Sequence, residues 1–190
     1  TTKSTTAKKT TTKKEEKVIE YMLEADKKQN RLVDLTVKGF AEETARESPA
    51  PGGGSVSAYM GALGASLGTM VANLSSHKPG WDDRWDEYAK WAERGMEIQE
   101  ELLHLVDEDT EAFNRIMTAF GMPKKTDEEK ALRSEAIQKA TLFASEVPLE
   151  TMKASARVFE LCRQMVAEGN PNSVSDAGVG ALAARAAVIG

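Results

Sequence analysis

The chain has 190 residues, 41% hydrophobic and 29% charged. That is enough for one domain, which buries roughly 70% of its unfolded surface, and too apolar for a disordered chain. The formal net charge of −5 argues against a nucleic-acid binder, because neutralising phosphates calls for a dominant basic surface. Cys162 is the sole cysteine, which excludes an internal disulfide and a cysteine-built zinc site and points to a reducing, cytoplasmic setting.

Residues 1–14 are Thr and Lys with little else and read as a disordered linker ahead of a helical domain over 15–190. The start of the chain lacks the apolar stretch of a signal peptide. Helices are expected over 15–25 and again over 32–46, where Leu32, Leu35, Phe40 and Thr44 fall near helical spacing. The run Ser48-Pro49-Ala50-Pro51-Gly52-Gly53-Gly54 breaks that pattern. A third helix follows over 55–74, with Ser57, Gly61, Gly64, Gly68 and Ala72 forming a smooth stripe that lets a neighbouring backbone approach. Residues 55–76 carry no charged side chain and include Gly64-x-x-x-Gly68, the spacing of membrane helix pairs. Few of them are bulky aliphatics, so a buried helix of a non-membrane protein is the reading adopted.

A long helix is expected over 82–120, stopped by Gly121 and Pro123. The next begins at Thr126-Asp127-Glu128-Glu129, with acidic residues at its positive end, and Pro148 should kink or divide it before Glu168. Gly169-Asn170-Pro171-Asn172 ends it, and Ser175 can cap a last Ala/Gly-rich helix through Ala187. No segment alternates as a strand does. The fold class is therefore all-α, a helical bundle with one long central helix and Gly/Ala-rich packing helices.

On the long helix, apolar or small residues recur at Tyr88, Trp91, Gly95, Ile98, Leu102, Leu105, Phe113, Ile116 and Phe120, with one gap at position 109. At about 100° per residue, Asp109 points roughly 20° from Leu102 and roughly 40° from Phe113, on the face that must be buried. Removing a carboxylate from water is costly and suits it to general acid/base work; the alternative is that Asp109 caps a neighbouring helix or pairs with a buried Arg or Lys. Asp107, Glu108 and Glu111 point elsewhere and read as a solvated face.

Pro51-Gly52-Gly53-Gly54-Ser55 opens a helix with no acidic residue nearby in sequence, leaving backbone N–H groups free for an anionic ligand or forming a tight interhelical turn. It lacks the Lys-Ser/Thr pair of a P-loop. The polar turn from Asn170 to Asp176 either caps the last helix or offers Ser175 and Asp176 to a substrate. His77 and His104 have no partner pattern for a metal and read as surface residues.

Three segments, in order and spacing, resemble the cyclodeaminase domain of the formiminotransferase-cyclodeaminase family. They are Ser48-Pro49-Ala50-Pro51-Gly52-Gly53-Gly54-Ser55, Leu105-Val106-Asp107-Glu108-Asp109 with Ala112-Phe113, and Gly169-Asn170 through Ser175-Asp176. The resemblance covers about residues 32–190. It implies an all-helical, dimer-forming or higher homo-oligomeric enzyme that closes 5-formiminotetrahydrofolate to 5,10-methenyltetrahydrofolate with loss of ammonia, a step of histidine degradation. Related members hydrolyse the methenyl compound to the 10-formyl form. It also implies Asp109 as the acid/base residue, with Gly52, Gly53, Gly54 and Ser55 holding the folate and Ser175 and Asp176 orienting it. No metal and no cofactor beyond the folate substrate is implied, nor a nucleic-acid or membrane partner. The Thr/Lys linker resembles the join to an upstream formiminotransferase domain. Family members continue beyond the position of Gly190, so the domain here is expected to be C-terminally incomplete. Against the enzyme stand two rival readings, a non-catalytic helical oligomerisation module and a membrane-anchored helix pair.

Overall fold

A computed structural model describes residues 31–190, and all regular structure among them is helical. The linker expected at 1–14 and the helix expected over 15–25 lie outside the described residues. Five α-helices form a bundle: α1 Val37–Thr44, α2 Gly53–Ser76, α3 Trp85–Gly121, α4 Asp127–Glu168 and α5 Val174–Ile189. The all-α bundle with a long helix and small-residue packing helices is the fold the sequence pattern predicts.

Three boundaries differ from the sequence reading. The segment expected as one helix over 32–46 splits into a 3-10 turn at Leu32–Asp34 and the short α1. Thr36 causes the split: it is extended, and its side chain accepts from the Gly39 N–H at 3.0 Å, which starts a new helix. Pro148 does not divide α4, which runs unbroken from Asp127 to Glu168. Pro148 lies on the exposed side while Val147 and Thr151 are buried nearby, so packing holds the helix through it. Ser175 does not cap α5. A 3-10 turn at Pro171–Ser173 intervenes, the cap position falls on Ser173, and Asn170 accepts from the Asn172 N–H instead.

Other sequence signals hold. Thr126 and Glu129 form a reciprocal capping box at the start of α4, each side chain accepting from the other's backbone N–H at 3.1 Å. Gly121 is the last residue of α3, after a 3-10 turn at Asp82–Arg84 has replaced the first expected turn.

The small-residue stripe on α2 is buried along its length, at Ser57, Gly61, Gly64, Gly68 and Ala72. Its closest crossing is with α5, where a Cβ on Gly64 would stand 2.7 Å from the Gly180 carbonyl oxygen and 3.3 Å from the Ala184 nitrogen. Only glycine allows two backbones this near. Leu102, Val106, Val158 and Cys162 of α3 and α4 fill the core around that crossing, and Tyr88, Leu161, Met165 and Val71 fill it toward the other end. Among the described residues no helix is long and apolar enough to cross a membrane.

Candidate active site

Helices α2 and α3 run antiparallel in a register that small residues fix. Gly95 leaves room for Thr69, since a Cβ there would be 2.1 Å from the Thr69 Oγ1, and Gly61 leaves room for Leu102 at 3.1 Å. Gly95, Leu102 and Asp109 follow one another at steps of seven on one face of α3. Their counterparts on α2 are Thr69, Gly61 and the start of the helix at Gly54 and Ser55. The apolar stripe of α3 therefore outruns the side of α2 just where Asp109 stands, and a carboxylate there meets the end of a helix rather than its flank.

Asp109 Oδ2 accepts a hydrogen bond from the Ser55 backbone N–H at 2.8 Å and another from the Ser55 hydroxyl at 2.9 Å. It serves as the N-terminal cap that α2 lacks locally, because Gly52 at the cap position has no side chain to offer. This corrects the expectation that the helix opens without an acidic partner: the partner arrives from 54 residues away in sequence. Asp109 is also half-buried rather than enclosed in the core, because α2 begins at this level while α3 runs on to Gly121.

The Ser55 hydroxyl is fully buried and lies 3.2 Å from the Thr110 hydroxyl, itself only 7% exposed. Sequence periodicity gives no hint of Thr110, which sits 100° around the helix from Asp109. Gly54 admits the carboxylate, since a Cβ there would be 2.0 Å from Asp109 Oδ1. Among the described residues no donor reaches that oxygen, while Oδ2 holds both Ser55 contacts.

Two clefts flank the junction. One, of about 270 Å³, lies between Gly54 and Ser57 on α2, Leu149 and Met152 on α4, and the end of α5. The other, of about 310 Å³, is bordered by Leu32, Arg46, Pro51 and Thr110. Both are near the lower limit for small-molecule sites.

The acidic neighbours are not simply solvated. Asp107 accepts from the Leu32 N–H at 2.6 Å and from Arg31 Nε at 3.3 Å, tying the segment before α1 to α3. Glu111 pairs with Arg115 at 2.6 Å, and Arg115 in turn lies over the Phe143 ring. Glu108 pairs with His104, which is exposed as expected, and so is His77. Among the described residues no three His, Cys, Asp or Glu side chains gather as a metal site would need.

Gly52, Gly53, Gly54, Ser55 and Asp109 thus come together at one end of the bundle, and Ser175 and Asp176 do not join them. The turn before α5 is fastened to the opposite end of α2, where the Asn170 N–H donates to Ser75 Oγ at 2.8 Å. At 1.5 Å of rise per residue along α2, that separates the two groups by roughly 25–30 Å within one chain.

Comparison with known proteins supplies the chemical context. A profile described as formiminotransferase-cyclodeaminase matches residues 36–190. A methenyltetrahydrofolate cyclohydrolase of Methylorubrum extorquens is 38% identical over 151 residues, covering 80% of this chain and 73% of that protein. The formimidoyltransferase-cyclodeaminase of Mus musculus is 31% identical over 175 residues; the match takes in 92% of this chain and only 32% of the mouse protein, so the chain spans about a third of that relative. The crystal structure of a formiminotetrahydrofolate cyclodeaminase from Thermotoga maritima superposes with a TM-score of 0.69 at 29% identity, covering 81% of this chain and 73% of that one.

Proposed function

The chain belongs to the formiminotransferase-cyclodeaminase family, and from that premise we propose that it closes 5-formiminotetrahydrofolate to 5,10-methenyltetrahydrofolate and releases ammonia, with Asp109 moving the protons. The observation that carries this is the pair of unlike oxygens on one carboxylate: Oδ2 is held by two donors at a helix start, while no donor among the described residues reaches Oδ1, next to a cleft wall.

The chemistry asks for one shuttle. N10 attacks the formimino carbon on N5, and a tetrahedral carbon forms. The N10 proton must leave, the amine nitrogen must gain one, and the bond to that nitrogen then breaks as ammonia departs. A single carboxylate can take the first proton and return the second. Transfer of this kind is worth about a hundred- to ten-thousand-fold in rate. The scheme requires no metal and no cofactor beyond the folate. Gly52, Gly53 and Gly54 let the ligand lie against the main chain. The N–H groups of Gly53 and Gly54, ahead of the capped Ser55, are donors for its polar atoms. The apolar walls of Leu149 and Met152 suit its ring. Ser175 and Asp176 have no part in this scheme within one chain, because of their distance. The proposal includes a cytoplasmic homo-oligomer, a place in histidine degradation, and an upstream formiminotransferase domain of the kind the name of the mouse relative implies.

A second reading, hydrolysis of 5,10-methenyltetrahydrofolate, is favoured by the name of the relative with 38% identity. There the same carboxylate would activate water against the methenyl carbon. The absorbance of the methenyl compound separates the two. Rising absorbance with ammonia release from 5-formiminotetrahydrofolate is the expected result. Loss of absorbance from added methenyltetrahydrofolate alone would make hydrolysis the activity, and silence toward both would leave a non-catalytic bundle.

A further inference from the structure

We propose that Thr110 and Ser55 form a two-hydroxyl relay that fixes Asp109 with Oδ1 as its working oxygen, making Thr110 a positioning residue for the reaction. The inference rests on the folate reading above and concerns which atom of Asp109 exchanges protons and what holds it there.

The argument follows from donors and acceptors. The Ser55 backbone N–H, 2.8 Å from Oδ2, can only donate, so Oδ2 is an acceptor whatever the state of the carboxyl group. The Ser55 hydroxyl, 2.9 Å from the same oxygen, has one hydrogen and spends it there. Its lone pairs then face Thr110 Oγ1 at 3.2 Å, which makes Thr110 the donor of that contact. Ser55 is fully buried, and Thr110 is 7% exposed at the border of the second cleft, so the Ser55 hydroxyl is shielded from water that would reorient it. With Oδ2 taken by two donors, a proton arriving at Asp109 goes to Oδ1. That oxygen occupies the volume a side chain on Gly54 would fill, and Gly54 lines the neighbouring cleft. Thr110 thus acts at second hand: it fixes the hydrogen of Ser55, Ser55 fixes the plane of the carboxyl group, and the plane sets where Oδ1 meets the substrate.

Thr110→Val keeps the shape and removes the hydroxyl, and Thr110→Ser keeps the hydroxyl. Steady-state kinetics of the unmodified protein and both variants, with melting temperatures alongside, test the relay. Loss of the hydrogen bond that fixes Ser55, and through it the plane of the Asp109 carboxyl group, should lower kcat of T110V by roughly three- to tenfold. KM should stay within about twofold, and the melting temperature should fall by no more than the loss of one buried hydrogen bond accounts for. T110S should recover most of kcat. An unchanged kcat in T110V would overturn the relay while leaving the folate reading intact. A fall in T110V that T110S fails to recover, or that tracks a lost fold, would overturn it too, by making Thr110 a packing residue. If the unmodified protein turns over neither folate, the functional reading falls first and the relay with it.

Discussion

A Cβ on Gly54 would sit 2.0 Å from Asp109 Oδ1 and 2.5 Å from its carboxyl carbon, so glycine at this position is a condition for the carboxylate to reach the start of α2. Gly54→Ala should displace Asp109 and lower turnover by at least about a hundredfold, the scale of a 1 Å misplacement of a reacting group. It should also cost about 1–3 kcal/mol of stability through overpacking. Gly53→Ala is the control for backbone effects: nothing lies within 4 Å of its would-be Cβ, and the change should raise stability by up to about 1 kcal/mol, because alanine restricts the unfolded chain. Equal losses in thermal unfolding for both variants would contradict this account of Gly54. Periodicity alone picks out Asp109, because a carboxylate interrupts an apolar stripe. What it misses is the partner. Local sequence near Ser55 shows no acid, and a cap supplied by another helix leaves no trace in spacing. For the same reason Asp107 reads as solvated, although Leu32 and Arg31 hold it.

At the scale of elements, the small residues set distances. Gly64 and Gly180 bring α2 and α5 into backbone contact. Gly64→Ala, with its Cβ directed 2.7 Å from a carbonyl oxygen, cannot be absorbed by a rotamer change, so the helices must part. We expect a loss of about 2–3 kcal/mol, at the upper end for overpacked sites, seen as a lower urea midpoint; a change below about 0.5 kcal/mol would mean that the crossing is looser than described. The stripe that determines this crossing was legible because glycine and serine at steps of three and four have few other uses in a helix. The ends of the elements were less so. Thr36 starts α1 where helical spacing ran on without interruption, and before α5 the Asn170 backbone is held by Ser75 while its side chain caps a 3-10 turn, so that the cap position of α5 falls on Ser173 and not on Ser175. Pro148 leaves α4 undivided because flanking burial at Val147 and Thr151 outweighs the missing hydrogen bond.

Across the whole molecule, two buried clusters each join the four longest helices, and their burial couples folding to pH. Burial pushes the Cys162 thiol from an ordinary 9.0 up to about 11 and raises the Tyr88 phenol as well. Both groups therefore keep their protons in the folded state at pH values where the unfolded chain releases them. The folded state then binds more protons, and stability falls as pH rises through the window from about 9 to about 11. Urea unfolding at about pH 8 and about pH 10 should show that decline, smaller in Cys162→Ala; a flat or rising profile would contradict it. The same burial leaves the chemistry at the end of the bundle, where Asp109 both caps α2 and, in the proposed reaction, shuttles protons. Asp109→Asn separates those duties. Asparagine is as good a helix cap as aspartate, so the variant should melt within about 1 kcal/mol of the unmodified protein while its conversion of 5-formiminotetrahydrofolate falls by about a hundred- to ten-thousand-fold. Near-normal turnover in a folded D109N protein would contradict the central claim and reduce Asp109 to a cap.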